Sequence, residues 1–219
     1  MLTSIDDSSL VVDGLCDRTA GQNTAVSCFY LDFAARKEHS ATNVLGSMLK
    51  QMVGRMERIP EEISRAFQQQ KMTIGGRRPQ LVNILKMLQC ITSSRRRTFM
   101  CLDALDECAG MERFRLLDAL KEIVEQSPET RIFVTGRPHI RAEIESRLSR
   151  LVTSISVRSN RGDITRYLRF KLGNDETTDA MDENLKAEIL EKIPENMSEM
   201  YVRAIVLRII PPLSANTCS

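Results

Sequence analysis

No two of the six cysteines are spaced as C-x-x-C, and only two histidines, His39 and His139, could complete a metal site. That spacing excludes a structural zinc centre and a disulfide framework. Cys16, Cys28, Cys90, Cys101, Cys108 and Cys218 are expected to be free thiols, and Cys28 and Cys101 lie inside apolar runs, where a thiol acts as a small hydrophobe. This usage points to a reducing, cytoplasmic compartment. The N-terminus lacks a charged-then-apolar leader, since Asp6 and Asp7 interrupt it. No apolar stretch is long enough for a bilayer: Tyr201 to Ile210 carries Arg203 and Arg208 and stops at Pro211-Pro212. A net charge of +2 gives no electrostatic footprint for nucleic acid. The one basic run, Arg95-Arg96-Arg97, directly precedes an apolar segment and reads as a solvated strand entry. Internal repeats and low-complexity tracts are also missing.

What remains is a globular composition, 42% hydrophobic and 27% charged over 219 residues, enough for one full core or one domain with a small appendage. Val26 to Phe33 reads as a buried strand. From Ser40 to Arg58, Val44, Leu45, Met48, Leu49, Met52, Val53 and Met56 recur at helical spacing, with Ser40 or Thr42 as the cap. Pro60 opens a second helix to about Gln70, and a third runs from Pro79 to Thr92 after Gly75-Gly76. Strands follow at Thr98–Leu102 and Arg131–Thr135, each succeeded by a helix (Met111–Gln126, Ile140–Arg150). Leu151 to Val157 is a weaker strand. Helices are expected over Asp163–Leu172, Asp182–Ile193 and Met197–Ile210. The alternation predicts an α/β fold: a parallel sheet with helices on both faces, then a small all-helical segment. The boundary is placed at residue 160, giving a core over 1–160 and a helical extension over 161–219.

The sharpest local signal is Thr98-Phe99-Met100-Cys101-Leu102-Asp103-Ala104-Leu105-Asp106-Glu107. An apolar parallel strand delivers a carboxylate to the carboxyl edge of the sheet, where open α/β folds bind ligands. Mg²⁺ is commonly held through one or two carboxylates plus substrate phosphates, which makes Asp103 the candidate metal residue. Asp106 and Glu107, one turn on, are placed to polarise an attacking water. An ordinary buried strand followed by a solvated acidic loop would show the same residues. In the next strand, Thr135 and Arg137 of Ile132-Phe133-Val134-Thr135-Gly136-Arg137-Pro138 are candidates to sense or stabilise a γ-phosphate. The plain alternative is a strand-to-helix turn bent at Gly136 with Arg137 in water.

Together, Leu102-Asp103-Ala104-Leu105-Asp106-Glu107-Cys108 and Phe133-Val134-Thr135-Gly136-Arg137-Pro138 resemble the Walker B and sensor 1 segments of fungal NACHT-type NTPases, the STAND class of signalling P-loop NTPases. The resemblance is to the nephrocystin-like N-terminal type, often joined to ankyrin or WD repeats. It extends to Val26–Phe33 and Val44–Met52, to Asp163–Leu168, and to Ser198–Leu207, where the family usually writes Gly-Met-Phe-Leu-Trp/Leu-Ala. Met197-Ser198-Glu199-Met200 lacks that glycine, and Arg203 and Arg208 break an apolar face. The resemblance implies Mg²⁺ with ATP or GTP as cofactors, protein partners and self-association; the charge balance and the short apolar runs leave neither nucleic acid nor membrane as an expected partner.

A P-loop enzyme also needs G-x-x-x-x-G-K-S/T, and no such run occurs in the chain. Gly75-Gly76 is followed by Arg77-Arg78 and falls between helices, so it is no substitute. Met1–Ile5 and Val11–Leu15 resemble the two halves of the helix that follows the loop in the family. The expectation is a truncated core that starts just after its phosphate loop, so that neighbouring strand edges lose their partner. Three functions compete. The first is a nonenzymatic NACHT module with a regulatory or interaction role and negligible nucleotide binding. The second is an active NTPase whose loop is encoded upstream. The third is a helical adaptor whose acids only solvate a loop.

Overall fold

Side chains alternate along Arg97–Asp103, sending Met100 and Leu102 to one face of a sheet and Phe99 and Cys101 to the other. The computed structural model describes residues 3–72, 79–148, 152–158, 160–174, 182–197 and 201–207. In chain order they form α1 (Thr3–Thr19), β1 (Thr24–Tyr30), α2 (Ala41–Gly54), α3 (Glu61–Met72), α4 (Leu81–Ser94), β2 (Arg97–Asp103), α5 (Gly110–Gln126), β3 (Thr130–Gly136), α6 (Arg141–Leu148), β4 (Val152–Arg158), α7 (Arg161–Gly173), α8 (Glu183–Met197) and β5 (Tyr201–Leu207). The α/β architecture agrees with the pattern of the sequence. β1, β2 and β3 are parallel, with Cys28 opposite Cys101 and Cys101 opposite Phe133. The full sheet runs β1-β2-β3-β5-β4.

The larger core lies on the Met100 face. There Val44, Leu45 and Met48 of α2, Ile84, Leu88 and Ile91 of α4, and Leu116, Leu120 and Ile123 of α5 meet Leu102, Ile132 and Val134. These side chains are at most 1% exposed, so truncating one to alanine costs about 2–5 kcal/mol. Of the two caps the sequence offers, α2 uses Ser40, whose hydroxyl accepts from the Asn43 amide at 3.2 Å. The other face carries a thinner layer: Val12 of α1 on Val26 and Cys101, flanked by Leu15, Cys16, Phe99 and Phe133. The five described cysteines are free thiols.

β1 is an edge strand, and α2 covers its open backbone. The Cys28 amide donates to Gln51 Oε1 (3.0 Å), Gln51 Nε2 donates to the Cys28 carbonyl (2.7 Å), and Arg55 Nη1 donates to the Val26 carbonyl (3.3 Å). A side-chain amide thus takes the place of a neighbouring strand.

The described residues divide into two compact units, one within Met1–Ile155 and Ala204–Ser219, the other within Ser156–Arg203. In the second, α7 and α8 pack together, Asn160 caps α7 at the Gly162 amide (2.7 Å), and Arg161 pairs with Glu195 at 3.2 Å.

Two expectations are corrected. The helix expected over Met197–Ile210 is not found where the chain is described: α8 ends at Met197 and Tyr201–Leu207 is a strand. A short, nearly continuous apolar run does not distinguish the two by spacing, and Tyr201, Val202, Ile205 and Val206 are residue types that favour strands. Nor does the edge of β3 lack a partner, because β5 lies beside it, between β3 and β4.

Candidate functional site

The parallel register brings the carboxyl ends of β2 and β3 side by side, and all five candidate residues lie there. Asp103 ends β2, is 3% exposed, and accepts a short hydrogen bond from the Thr135 hydroxyl of β3. Thr135 Oγ1 also accepts from the Ala104 amide at 2.9 Å. The Asp103 carbonyl accepts from the Leu31 amide at 3.1 Å, tying the end of β1 to the same place. Thr135 is therefore a bridge between strand ends, buried at 7% exposure.

Directly after Asp103 the chain turns sharply. Ala104 is left-handed, with φ of 55°, and among the described residues it alone has positive φ without being glycine. That conformation costs an alanine about 1–2 kcal/mol. It leads into a 3₁₀ turn, Leu105–Glu107, whose Leu105 is fully buried and whose Asp106 and Glu107 point back towards β3. Arg137 receives both acids: its Nε lies 3.4 Å from Asp106 Oδ2 and its Nη2 3.2 Å from Glu107 Oε1, while its backbone amide donates to Asp106 Oδ1 at 3.1 Å. The Asp106 and Glu107 side chains are only 5% and 13% exposed, against 62% for Arg137. Gly136 makes the approach possible, since a Cβ there would come within 2.7 Å of Ile140 Cδ1 and 3.5 Å of Asp106 Oδ1.

A second arginine, which the sequence did not mark, secures the turn from behind. Arg113 of α5 makes a two-pronged pair with Glu143 of α6 (2.8 and 2.9 Å) and donates to the carbonyls of Cys108 (2.8 Å) and Asp106 (3.4 Å). Its hydrogen bond to Glu143 holds the guanidinium proton above the usual arginine range. Cys108 Sγ donates to the His39 carbonyl at 3.5 Å, and burial pushes this thiol up. No spacing rule links Arg113 to Glu143, which is why the pair was invisible in the sequence.

In front of these groups lies an open cleft of about 360 Å³, walled by Phe33, Arg36, Arg137 and His139 above Asp106 and Glu107. Its acids are turned towards Arg137, and Arg36 and Arg137 border solvent. Among the described residues no group of three or more His, Cys, Asp or Glu side chains converges as a metal centre. The donors present are engaged rather than open to a resident Mg²⁺: Asp103 accepts from the Thr135 hydroxyl, and Asp106 and Glu107 face the Arg137 guanidinium. The arrangement can hold a strand-to-strand latch and present a mixed-charge surface. A water-activating base would need its carboxylate free.

Residues 8–137 match the family model described as "Nephrocystin 3, N-terminal", more than half of the 219-residue chain. Neither a curated protein nor a solved structure gives a match. The matched stretch runs from within α1 to the residue after β3, and so contains Asp103, Asp106, Glu107, Thr135 and Arg137.

Proposed function

The chain belongs to the nephrocystin 3 N-terminal family, and from that membership we propose that it is a NACHT-type module of the STAND class that acts as a regulatory scaffold for protein partners, without hydrolysing nucleotide itself. One observation carries this reading. The two carboxylates that would polarise water are held by Arg137, in a chain that has no Gly-rich loop to hold phosphates. Backbone amides and the lysine of that loop supply the contacts that cradle a triphosphate. Without them, Asp103 and Thr135 serve as the latch between β2 and β3. Titration of fluorescent ATP and GTP analogues with Mg²⁺ is expected to give no saturable binding below millimolar concentration. Micromolar binding abolished by Asp103→Ala would overturn the reading.

A further inference from the structure

At the opposite, amino-terminal edge of the sheet the chemistry reverses. β2, seven residues long, begins at Arg97 and ends at Asp103, a span of roughly 20 Å at strand rise. Around Arg97 the carboxyl end of α1 meets the entries of β1 and β2, enclosing a cleft of about 500 Å³. Leu15 and Phe99 form its apolar wall. Arg18, Arg96 and Arg97 line it, all three exposed. None of them makes a side-chain ion pair among the described residues. Two acids approach this edge, Asp17 next to Arg18 in the chain and Glu129, whose carbonyl accepts from the Thr98 amide beside Arg97; both are exposed and neither forms an ion pair with these arginines.

The cleft is built by specific local structure. Gly21, at φ of +74°, turns the chain after α1, with the Gln22 amide donating to the Thr19 carbonyl at 3.0 Å. Asn23 then fastens this turn to the start of β2: its carbonyl accepts from the Arg96 amide (3.0 Å) and its Oδ1 from Arg95 Nη1 (2.9 Å). Arg95 is thereby committed to structure, and it cannot serve as a fourth ligand-facing cation. The register that sets Thr24 opposite Arg97 adds a hydroxyl beside the guanidinium. Thr19 and Gln22 complete a lining without a carboxylate.

Arg18 in the last turn of α1 also complements the partial negative charge of that helix end. One cation suffices for that, which leaves Arg96 and Arg97 in excess. Guanidinium groups give planar, paired donors to phosphate oxygens, and a near-neutral chain does not concentrate them by composition. We propose that this cleft binds a small soluble anion bearing several phosphate groups, at a site separate from the Asp103 edge and independent of nucleotide hydrolysis.

The test is calorimetric titration of the full chain with tripolyphosphate and with inositol hexakisphosphate. Micromolar affinity is expected, falling at least tenfold in an Arg18→Ala/Arg97→Ala variant whose circular dichroism matches that of the parent. Arg65→Ala, on the distant α3, should bind as the parent does. On the unmodified protein, either probe should shield Arg18, Arg96 and Arg97 from phenylglyoxal, read by mass spectrometry. Equal affinity of parent and double variant, or equal loss in Arg65→Ala, would overturn the proposal. So would binding to vesicles containing a bisphosphorylated inositol lipid that the soluble headgroup does not compete away.

Discussion

The Thr135 hydroxyl spans two strand ends, donating to the Asp103 carboxylate while accepting from the Ala104 amide at 2.9 Å. Each of those groups is otherwise in a costly setting, one a carboxylate at 3% exposure and the other the amide of a left-handed residue. Thr135→Val keeps the shape and deletes both bonds. It is expected to cost about 2–4 kcal/mol, because a buried carboxylate and a backbone donor both lose a partner. Thr135→Ser keeps the hydroxyl and should cost under about 1 kcal/mol. Urea midpoints of the two variants decide the matter, and equal losses would remove the latch from the account.

Ala104 makes the opposite case, in which substitution should help. Its φ of 55° carries a penalty that glycine does not. Against that gain stands the extra freedom glycine has when unfolded, about 0.4–1 kcal/mol. Ala104→Gly should therefore stabilise by roughly 0.5–1 kcal/mol, and Ala104→Val should destabilise, both measured by thermal melting.

How much of this could be read beforehand depends on the range of the interaction. The strands at Thr98–Leu102 and Arg131–Thr135, and the Ser40 cap, rest on neighbours within one element, and the structure extends those strands only to Arg97–Asp103 and Thr130–Gly136. That Asp103, Asp106, Glu107, Thr135 and Arg137 share one edge also follows from parallel pairing of those strands. What the residues do to one another there does not. Arg137 in contact with both acids requires the left-handed turn at Ala104, and no alanine announces positive φ. Gln51 reads as a polar position on a helix, and its role appears only once β1 is known to be an edge. The segment Tyr201–Leu207 failed for another reason: its spacing suits both periods, and its place between β3 and β4 is decided by the sheet.

Gln51 holds the Cys28 amide and carbonyl at 3.0 and 2.7 Å, so the open edge of β1 is occupied by a side chain. Gln51→Leu removes both bonds and is expected to cost about 1–2 kcal/mol. It also bares strand backbone, which invites pairing between copies. Sedimentation should show association that grows with concentration in this variant, whereas Lys50→Leu, at an exposed neighbouring position, should sediment as the parent does.

Burial pushes the Cys101 thiol up to about 12, with Cys28 and Cys16 nearby adding in the same direction. The sign follows from which state holds the proton. Below pH 9, near the ordinary value, both states are protonated and the full stability is present. Between about pH 9 and pH 12 the unfolded chain ionises while the folded one does not, so stability falls as pH rises. The loss from this group at pH 10 is about 1–2 kcal/mol. Cys101→Ala should flatten the alkaline limb of a stability-against-pH curve between pH 9 and 11, and an unchanged limb would mean other thiols dominate.

β5 has a neighbour on each side in the sheet, β3 and β4, so its backbone is committed along both edges. Proline at a central strand position deletes a ladder donor and costs about 3 kcal/mol or more. Ile205→Pro should therefore lower stability by an amount comparable to a core truncation such as Leu88→Ala, even though the residue lies far along the chain from the matched stretch at 8–137. The location of the damage matters more than its size. Hydrogen exchange should quicken at Ile132, Phe133 and Val134 of β3, next to the injured strand. It should change least at β1, two strands further away behind β2. If β3 kept its protection while global stability fell, Tyr201–Leu207 would be supporting the protein from somewhere other than the middle of its sheet.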